Sequence, residues 1–366
     1  MVTDTSLATV SPELYTQQLK EKAQLIRTFF QPFNIPELAV FSSASMHYRM
    51  RAEFQVWHQG EHSYYRMFDP ETKKPFHVTA FPAGSKRIGE LMPMLMKHIT
   101  CNPLLKDRLF QIEFLTSQKN EALVTLIYHK PLNKEWELVA HDLQHQLNIV
   151  IIGRSRKQKK VLTKNFVTET LTVDGKQYNY QQMENSFTQP NAGVNEKMLS
   201  WASQCCKGAS GDLLELYCGN GNFTCILAQH FSNVLATEIS KTSVASAREN
   251  LKANGVYNVE IVRLSSEEVT QAMNGDRVFR RLHNIHLHDY EFSTVFVDPP
   301  RAGLDKGTEA LAQRFDHILY VSCNPITLKS NLATLCQTHK IERIALFDQF
   351  PYTHHAEVGV YLKRCQ

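Results

Sequence analysis

Apolar positions along the chain follow one rhythm before about residue 181 and another after it. In the first part, residues 11–31 place Leu14, Leu19, Ala23, Ile26 and Phe30 at helical spacing. Ser11 is the expected N-cap and Pro12 falls in the first turn. Residues 47–57 then alternate, with Tyr48, Met50, Ala52, Phe54 and Val56 on one face and Arg49, Arg51, Glu53 and Gln55 on the other. Further strands are predicted at 109–116 and 122–129, and a helix at 85–99. This is an α+β pattern with mostly antiparallel pairing. Beyond 181, short apolar runs recur at 212–217, 233–237, 258–263, 293–297 and 317–321, separated by helix-length segments. Such alternation predicts an α/β unit, a parallel sheet with crossover helices. The last two runs, 341–347 and 357–362, leave no room for a helix and predict an antiparallel hairpin. Two domains follow, 1–180 and 181–366.

Composition narrows the class. A chain of 366 residues, 43% hydrophobic and 21% charged, is globular and long enough for two cores. No apolar stretch reaches the roughly 18–20 residues of a membrane span, and the N-terminus lacks a basic segment followed by an apolar one, so a cytoplasmic protein is expected. Eight cysteines without CxxC pairing argue against a metal cluster and against disulfides. Residues 1–180 carry 23 Lys+Arg against 17 Asp+Glu (+6), and residues 181–366 carry 17 against 19 (−2). The basic excess of the first part suits a polyanionic partner. Arg49, Arg51 and the run GRSRKQKK at 153–160 are its candidate phosphate contacts, although a charge run is more often a solvated face.

The second part carries the chemistry. LLELYCGNGNFT, residues 213–224, reads as a strand, a glycine turn and a helix start, where backbone amides can approach a ligand. It lacks the third glycine of a dinucleotide site. Glu238 ends the next run, 19 residues after Gly219 (238 − 219), where a carboxylate can accept both ribose hydroxyls. A solvated strand-end acid fits Glu238 as well. Adenosine without a pyrophosphate points to S-adenosylmethionine. Asp298 ends the fourth run, in VFVDPPRAG, and two prolines brace the exit. Cys323 ends the fifth, and Asn324-Pro325 is expected to bar both strand and helix beyond it. If the last strand inserts antiparallel beside the fifth, Glu357 joins them at the same edge. A free cysteine is most often a small buried hydrophobe, but a thiol at a strand end beside a methyl donor and a carboxylate suits one problem. C5 of a uracil is a poor carbon nucleophile until a thiolate adds to C6.

Taken together, HYRMRAEF, ENSFTQPN, LLELYCGNGNF, FVDPPRAGL, YVSCNP and FDQFPYTHHAE closely resemble the tRNA (uracil-5-)-methyltransferases, across nearly the whole chain. The resemblance implies a Rossmann-like S-adenosylmethionine-dependent methyltransferase domain behind an N-terminal α+β RNA-binding domain. It implies Cys323 as nucleophile, Glu357 as proton acceptor, and cofactor contacts from Gln189, Tyr217, Asn222, Glu238 and Asp298. It further implies methylation of a T-loop uridine in the T-arm of tRNA, with tRNA-like RNA as an alternative substrate; a monomer is expected. Relatives acting on ribosomal RNA resemble a different front end, a β-barrel with a four-cysteine cluster, which this sequence lacks. The same chemistry on ribosomal RNA, and more remotely a noncatalytic RNA-binding protein of this fold, remain the alternatives.

Overall fold

Residues 10–69 and 72–365 are described by a computed structural model, so the first nine positions of the expected 1–180 domain lie outside the described residues. The strands, in chain order, are β1 (Leu38–Phe41), β2 (Arg51–Gln59), β3 (His62–Phe68), β4 (Pro75–Val78), β5 (Leu109–Thr116), β6 (Ala122–Tyr128), β7 (Val150–Ser155) and β8 (Gln158–Val161). There follow β9 (Phe166–Val173), β10 (Lys176–Met183), β11 (Asp212–Leu216), β12 (Val234–Thr237), β13 (Val259–Val262), β14 (Phe292–Val297), β15 (His317–Ser322), β16 (His339–Phe347) and β17 (Glu357–Arg364).

Strands β2 to β8 form one sheet in the order β4-β3-β2-β5-β6-β7-β8. The alternation in β2 does what it predicts, burying Ala52, Phe54 and Val56 against the helix Lys86–Cys101 and leaving Glu53 and Trp57 outside. All pairs are antiparallel except β6 with β7, which a helix at Lys134–Leu147 connects. That helix packs Trp136 over Gly153, where an added Cβ would come within 2.3 Å of the indole. Close approach of ring to backbone is what the glycine permits.

The second sheet has the order β1-β16-β17-β15-β14-β11-β12-β13, and only β17 runs against the rest. Its five central apolar runs became β11 to β15, flanked by helices on both faces, the arrangement a parallel sheet requires. The register pairs Ser322 with Val358. That antiparallel insertion sets the start of β17 at the carboxyl end of β15.

A cut at residue 180 needs correction. β1 pairs in parallel with β16, and Ala23, Ile26, Phe30 and Leu38 share a core with Leu214, Val295 and Ile318. The β9–β10 hairpin likewise packs Leu171 and Tyr180 among Met198, Phe223 and Ala247. β16 would otherwise be an open sheet edge, and an exposed row of backbone donors and acceptors is best covered. The N-terminal helix, Tyr15–Phe30, also differs from its sequence pattern: Leu14 is 58% exposed, while Gln18 and Lys22 are buried. Its inner face meets a polar loop rather than apolar side chains alone. Lys22 pairs with Asp348 at 2.6 Å and donates to the Phe350 carbonyl at 2.9 Å.

Candidate active site

The cofactor side of the cleft is built on the turn after β11. Tyr217, Gly219 and Gly221 all take left-handed backbone conformations (φ 62°, 56° and 79°), which glycine adopts at no steric cost and tyrosine only at some. Glu238, ending β12, fixes this turn: its carboxylate accepts from the Gly219 amide at 3.1 Å and the Ser240 amide at 2.7 Å. Each oxygen keeps capacity for a further donor. The Tyr217 hydroxyl donates to Ser266 at 2.7 Å. Asn222 and Asn195 exchange amide hydrogen bonds at 2.9 and 3.0 Å. Gln189 accepts from the Gln349 amide at 3.2 Å, and Gln349 accepts in turn from the Asn191 backbone.

At the other end stand the groups the sequence singled out for chemistry. One cleft of about 810 Å3 is lined by Gln189, Tyr217, Asn222, Glu238, Asp298, Cys323 and Glu357 together. Cys323 is partly exposed, whereas Glu357 is 3% exposed. Asn324-Pro325 corrects the expectation that it bars a helix. Pro325 opens the helix Pro325–Leu335, and the Asn324 side chain caps it by accepting from the Ile326 amide at 3.1 Å. Proline at the first helical position loses only an N–H that had no partner anyway. The helix therefore starts two residues past the thiol, with its positive end toward it. Asn324 and Thr327 also donate to the Arg301 carbonyl, at 2.9 and 3.2 Å. The loop bearing Asp298 is thus tied to the loop bearing Cys323.

Burial dominates the proton affinities here. It pushes the Cys323 thiol up to about 11, reinforced by the charges of Glu357 and Asp298 and opposed by Arg301. Burial likewise raises Asp298, and it raises Glu357 further, with Asp298 adding to the effect. Each of the three groups thus holds its proton more tightly than it would in water. Arg301 is the charge that favours the thiolate, a source the sequence did not reveal.

The N-terminal arginines sit less simply. Arg51 donates to the carbonyls of Ser186 (2.9 Å) and Glu184 (2.7 Å), holding up the segment that leads to Gln189. Arg49 directs its Nε to the Arg51 carbonyl at 2.9 Å. In the basic run, Arg154 and Lys159 pair with Glu184, and Lys160 with Glu137. Three of its five cations are therefore engaged within the fold.

Several site residues escaped sequence reasoning. Gln349 lies within FDQFPYTHHAE but nothing in that stretch singles it out, and Asn195 lies in no motif. Phe187, at the mouth of the cleft, is 73% exposed. Glu215 did leave a signal, an acid inside the apolar run LLELY. It is 1% exposed, lines the cleft, and neither carboxylate oxygen has a hydrogen-bond partner among the described residues. Burial raises it to about 8, Thr224 opposing and Asp298 adding. An orphaned buried carboxylate is costly without a positive partner. S-adenosylmethionine brings an ammonium and a sulfonium, cations that suit an unpaired acid in this pocket, and the spare acceptor capacity of Glu238 suits a ribose.

A glycine turn at the carboxyl end of β11, inside a mostly parallel sheet, followed by a strand-end acid and without a third glycine, has the form of a Rossmann-like S-adenosylmethionine-dependent methyltransferase. The chain belongs to the tRNA (uracil-5-)-methyltransferase family, whose model matches residues 14–365. It is 57% identical over 357 residues to the tRNA/tmRNA (uracil-C(5))-methyltransferase of Cellvibrio japonicus, covering 98% of each chain. It is 54% identical to the protein of that name from Saccharophagus degradans, over 98% of this chain and 99% of the other. In fold it is similar to Pyrococcus abyssi tRNA (uracil-54, C5)-methyltransferase in complex with S-adenosyl-L-homocysteine. The TM-score is 0.72 at 22% identity, over 95% of this chain and 83% of that one.

Proposed function

We propose that the protein methylates C5 of a uridine in the T-loop of tRNA, through a covalent bond between Cys323 and C6 of the base. The convergence of Cys323, Asp298 and Glu357 in one cleft with the glycine turn carries this reading. The bound cofactor supplies the methyl group to C5. Asp298, once ionised, takes the Cys323 proton and the sulfur adds to C6, which places negative charge on C5 and O4. Once C5 is methylated, Glu357 takes the C5 proton, the C5–C6 double bond re-forms, and the sulfur leaves as thiolate. This divides one difficult substitution into easier steps. Glu238 holds the cofactor's ribose. Gln189, Tyr217 and Asn222 line the same cleft, and Glu215 offers a counter-charge to its cationic end. The uridine reaches this depth by leaving its stack, at a cost of a few kcal/mol.

The curated relatives are named for both tRNA and tmRNA, and we include a tRNA-like fold among the substrates. The test is transfer of labelled methyl groups to separate tRNA and ribosomal RNA pools, followed by nucleoside analysis. We expect 5-methyluridine in the tRNA pool, and none when the T-loop uridine is replaced by cytidine. Label confined to ribosomal RNA would overturn the reading.

A further inference from the structure

A groove of about 720 Å3 runs along the open edge of β13, apart from the reactive cleft. Arg248, Arg263, Arg280 and Arg281 line it, with His283 and His286. Two of these arginines are engaged by the protein. Arg248 donates to the Ile261 carbonyl at 3.0 Å; Arg281 donates to the Arg263 carbonyl at 2.8 Å and lies 3.6 Å from Glu268. Arg263 and Arg280 are exposed, and no hydrogen-bond or ion-pair partner for either side chain is found among the described residues. The acids of the groove are Glu260 and Asp289, the latter beside His288 at 3.2 Å. Four guanidinium groups against two carboxylates (4 − 2 = +2) make it locally positive. The surrounding half of the chain is net negative, with 17 Lys+Arg against 19 Asp+Glu. This concentration is therefore not a by-product of composition.

Position relates the groove to the reaction. Val262 and Arg263 lie at the carboxyl end of β13, and the next residues, Leu264, Ser265 and Ser266, line the reactive cleft. Groove and cleft thus open at neighbouring points of one sheet edge. They are not adjacent to the thiol, however. Four strand spacings separate β13 from β15, on the order of 19 Å at 4.8 Å each. Phosphates next to a uridine bonded to Cys323 would not reach that far.

We propose that this groove holds backbone phosphates of the substrate RNA, outside the loop that carries the reacting uridine. The proposal rests on the tRNA reading above. Guanidinium forks match pairs of phosphate oxygens, and such contacts set register without reading sequence. The paired variant Arg263→Glu/Arg280→Glu tests it, since both residues are exposed and outside the cleft. Substrates are a full-length tRNA transcript and an isolated T-arm hairpin. For the full-length tRNA, KM is expected to rise about tenfold or more, and the slope of log affinity against log salt to fall by about two, one per arginine. Hairpin methylation and S-adenosylmethionine affinity should stay unchanged, and Arg263→Lys/Arg280→Lys should restore most of the tRNA affinity. Unchanged KM and salt slope on full-length tRNA would overturn the proposal, as would an equal loss on both RNAs. A wild-type protein that methylates neither RNA refutes the tRNA reading itself, a separate and visible failure.

Discussion

Cys323, the nucleophile of the proposed mechanism, has a thiol that holds its proton more tightly than a free cysteine. Its proton affinity is raised by burial and by two acids that are themselves raised. In the proposed mechanism turnover therefore begins with the loss of a proton from one of the two acids. The sign follows directly. Burial lifts Asp298 to about 7, so carboxyl groups raised in this way stay protonated, and useless as bases, well past the ordinary value near 4. Activity, as kcat/KM against pH, is expected to climb through the range above that value, by up to about tenfold per unit. A flat profile from pH 5 to 8 would mean these acids do not act as bases. Glu357→Gln leaves the addition possible and removes the acceptor for the C5 proton. We expect kcat to fall about 100-fold or more, with methylated RNA remaining covalently attached on denaturing gels. Rapid release of normal product would assign the proton to another group. Much of this was legible in the sequence, because a strand end is where side chains enter a cleft and Cys323, Asp298 and Glu357 each sit at one. What could not be read is their mutual influence, since burial and charge proximity depend on neighbours distant in the chain.

Loops between strands decide where those ends point. The segment from Asp348 to Ala356 connects β16 to β17 and delivers Glu357, and it is anchored mainly by the N-terminal helix. Lys22 pairs with Asp348, Gln18 accepts from the Tyr352 amide, and the Tyr352 hydroxyl donates to the Ser45 carbonyl at 2.9 Å. Breaking one side of a buried pair leaves an uncompensated charge. Lys22→Met is expected to lower stability by about 3–5 kcal/mol in denaturant unfolding, and Lys22→Met with Asp348→Leu to recover most of it. A single variant as stable as wild type would show that the pair anchors nothing. Polar anchors of this kind are invisible to periodicity; Gln18 and Lys22 interrupt the apolar stripe rather than mark it. The β9–β10 hairpin went unread for the same reason, because Glu169 and Gln182 are among its inward-facing residues. Asn324-Pro325 shows the converse error: a breaker inside an element is a favourable start at its first residue.

The fold has two large sheets, although the chain does not divide between them at one point. The parallel sheet was legible because five apolar runs at helix-length intervals admit few arrangements. The return of β1 to its edge was not, since a four-residue strand carries no address. Glu215 is the clearest mark of function on the whole fold. Held protonated to about 8 when folded and ionised above roughly 4 when unfolded, it makes the native state the better proton binder. Its contribution to stability is therefore greatest at low pH and is lost as pH rises from about 4 through 8. Glu215→Gln should flatten that fall, so that the cofactor-free variant melts above wild type at pH 8.5 but not at pH 5. Parallel melting profiles would contradict the assignment of Glu215 as an uncompensated buried acid.

The covalent step can be trapped. With tRNA containing 5-fluorouridine, C5 carries a fluorine that no base can remove as a proton, so methylation should stop at the protein–RNA adduct. After incubation with S-adenosylmethionine, digestion and mass spectrometry are expected to find the methylated fluorouridine attached to the peptide containing Cys323, and no adduct from Cys323→Ser. An adduct that persists in Cys323→Ser, or that maps to another residue, would contradict the account.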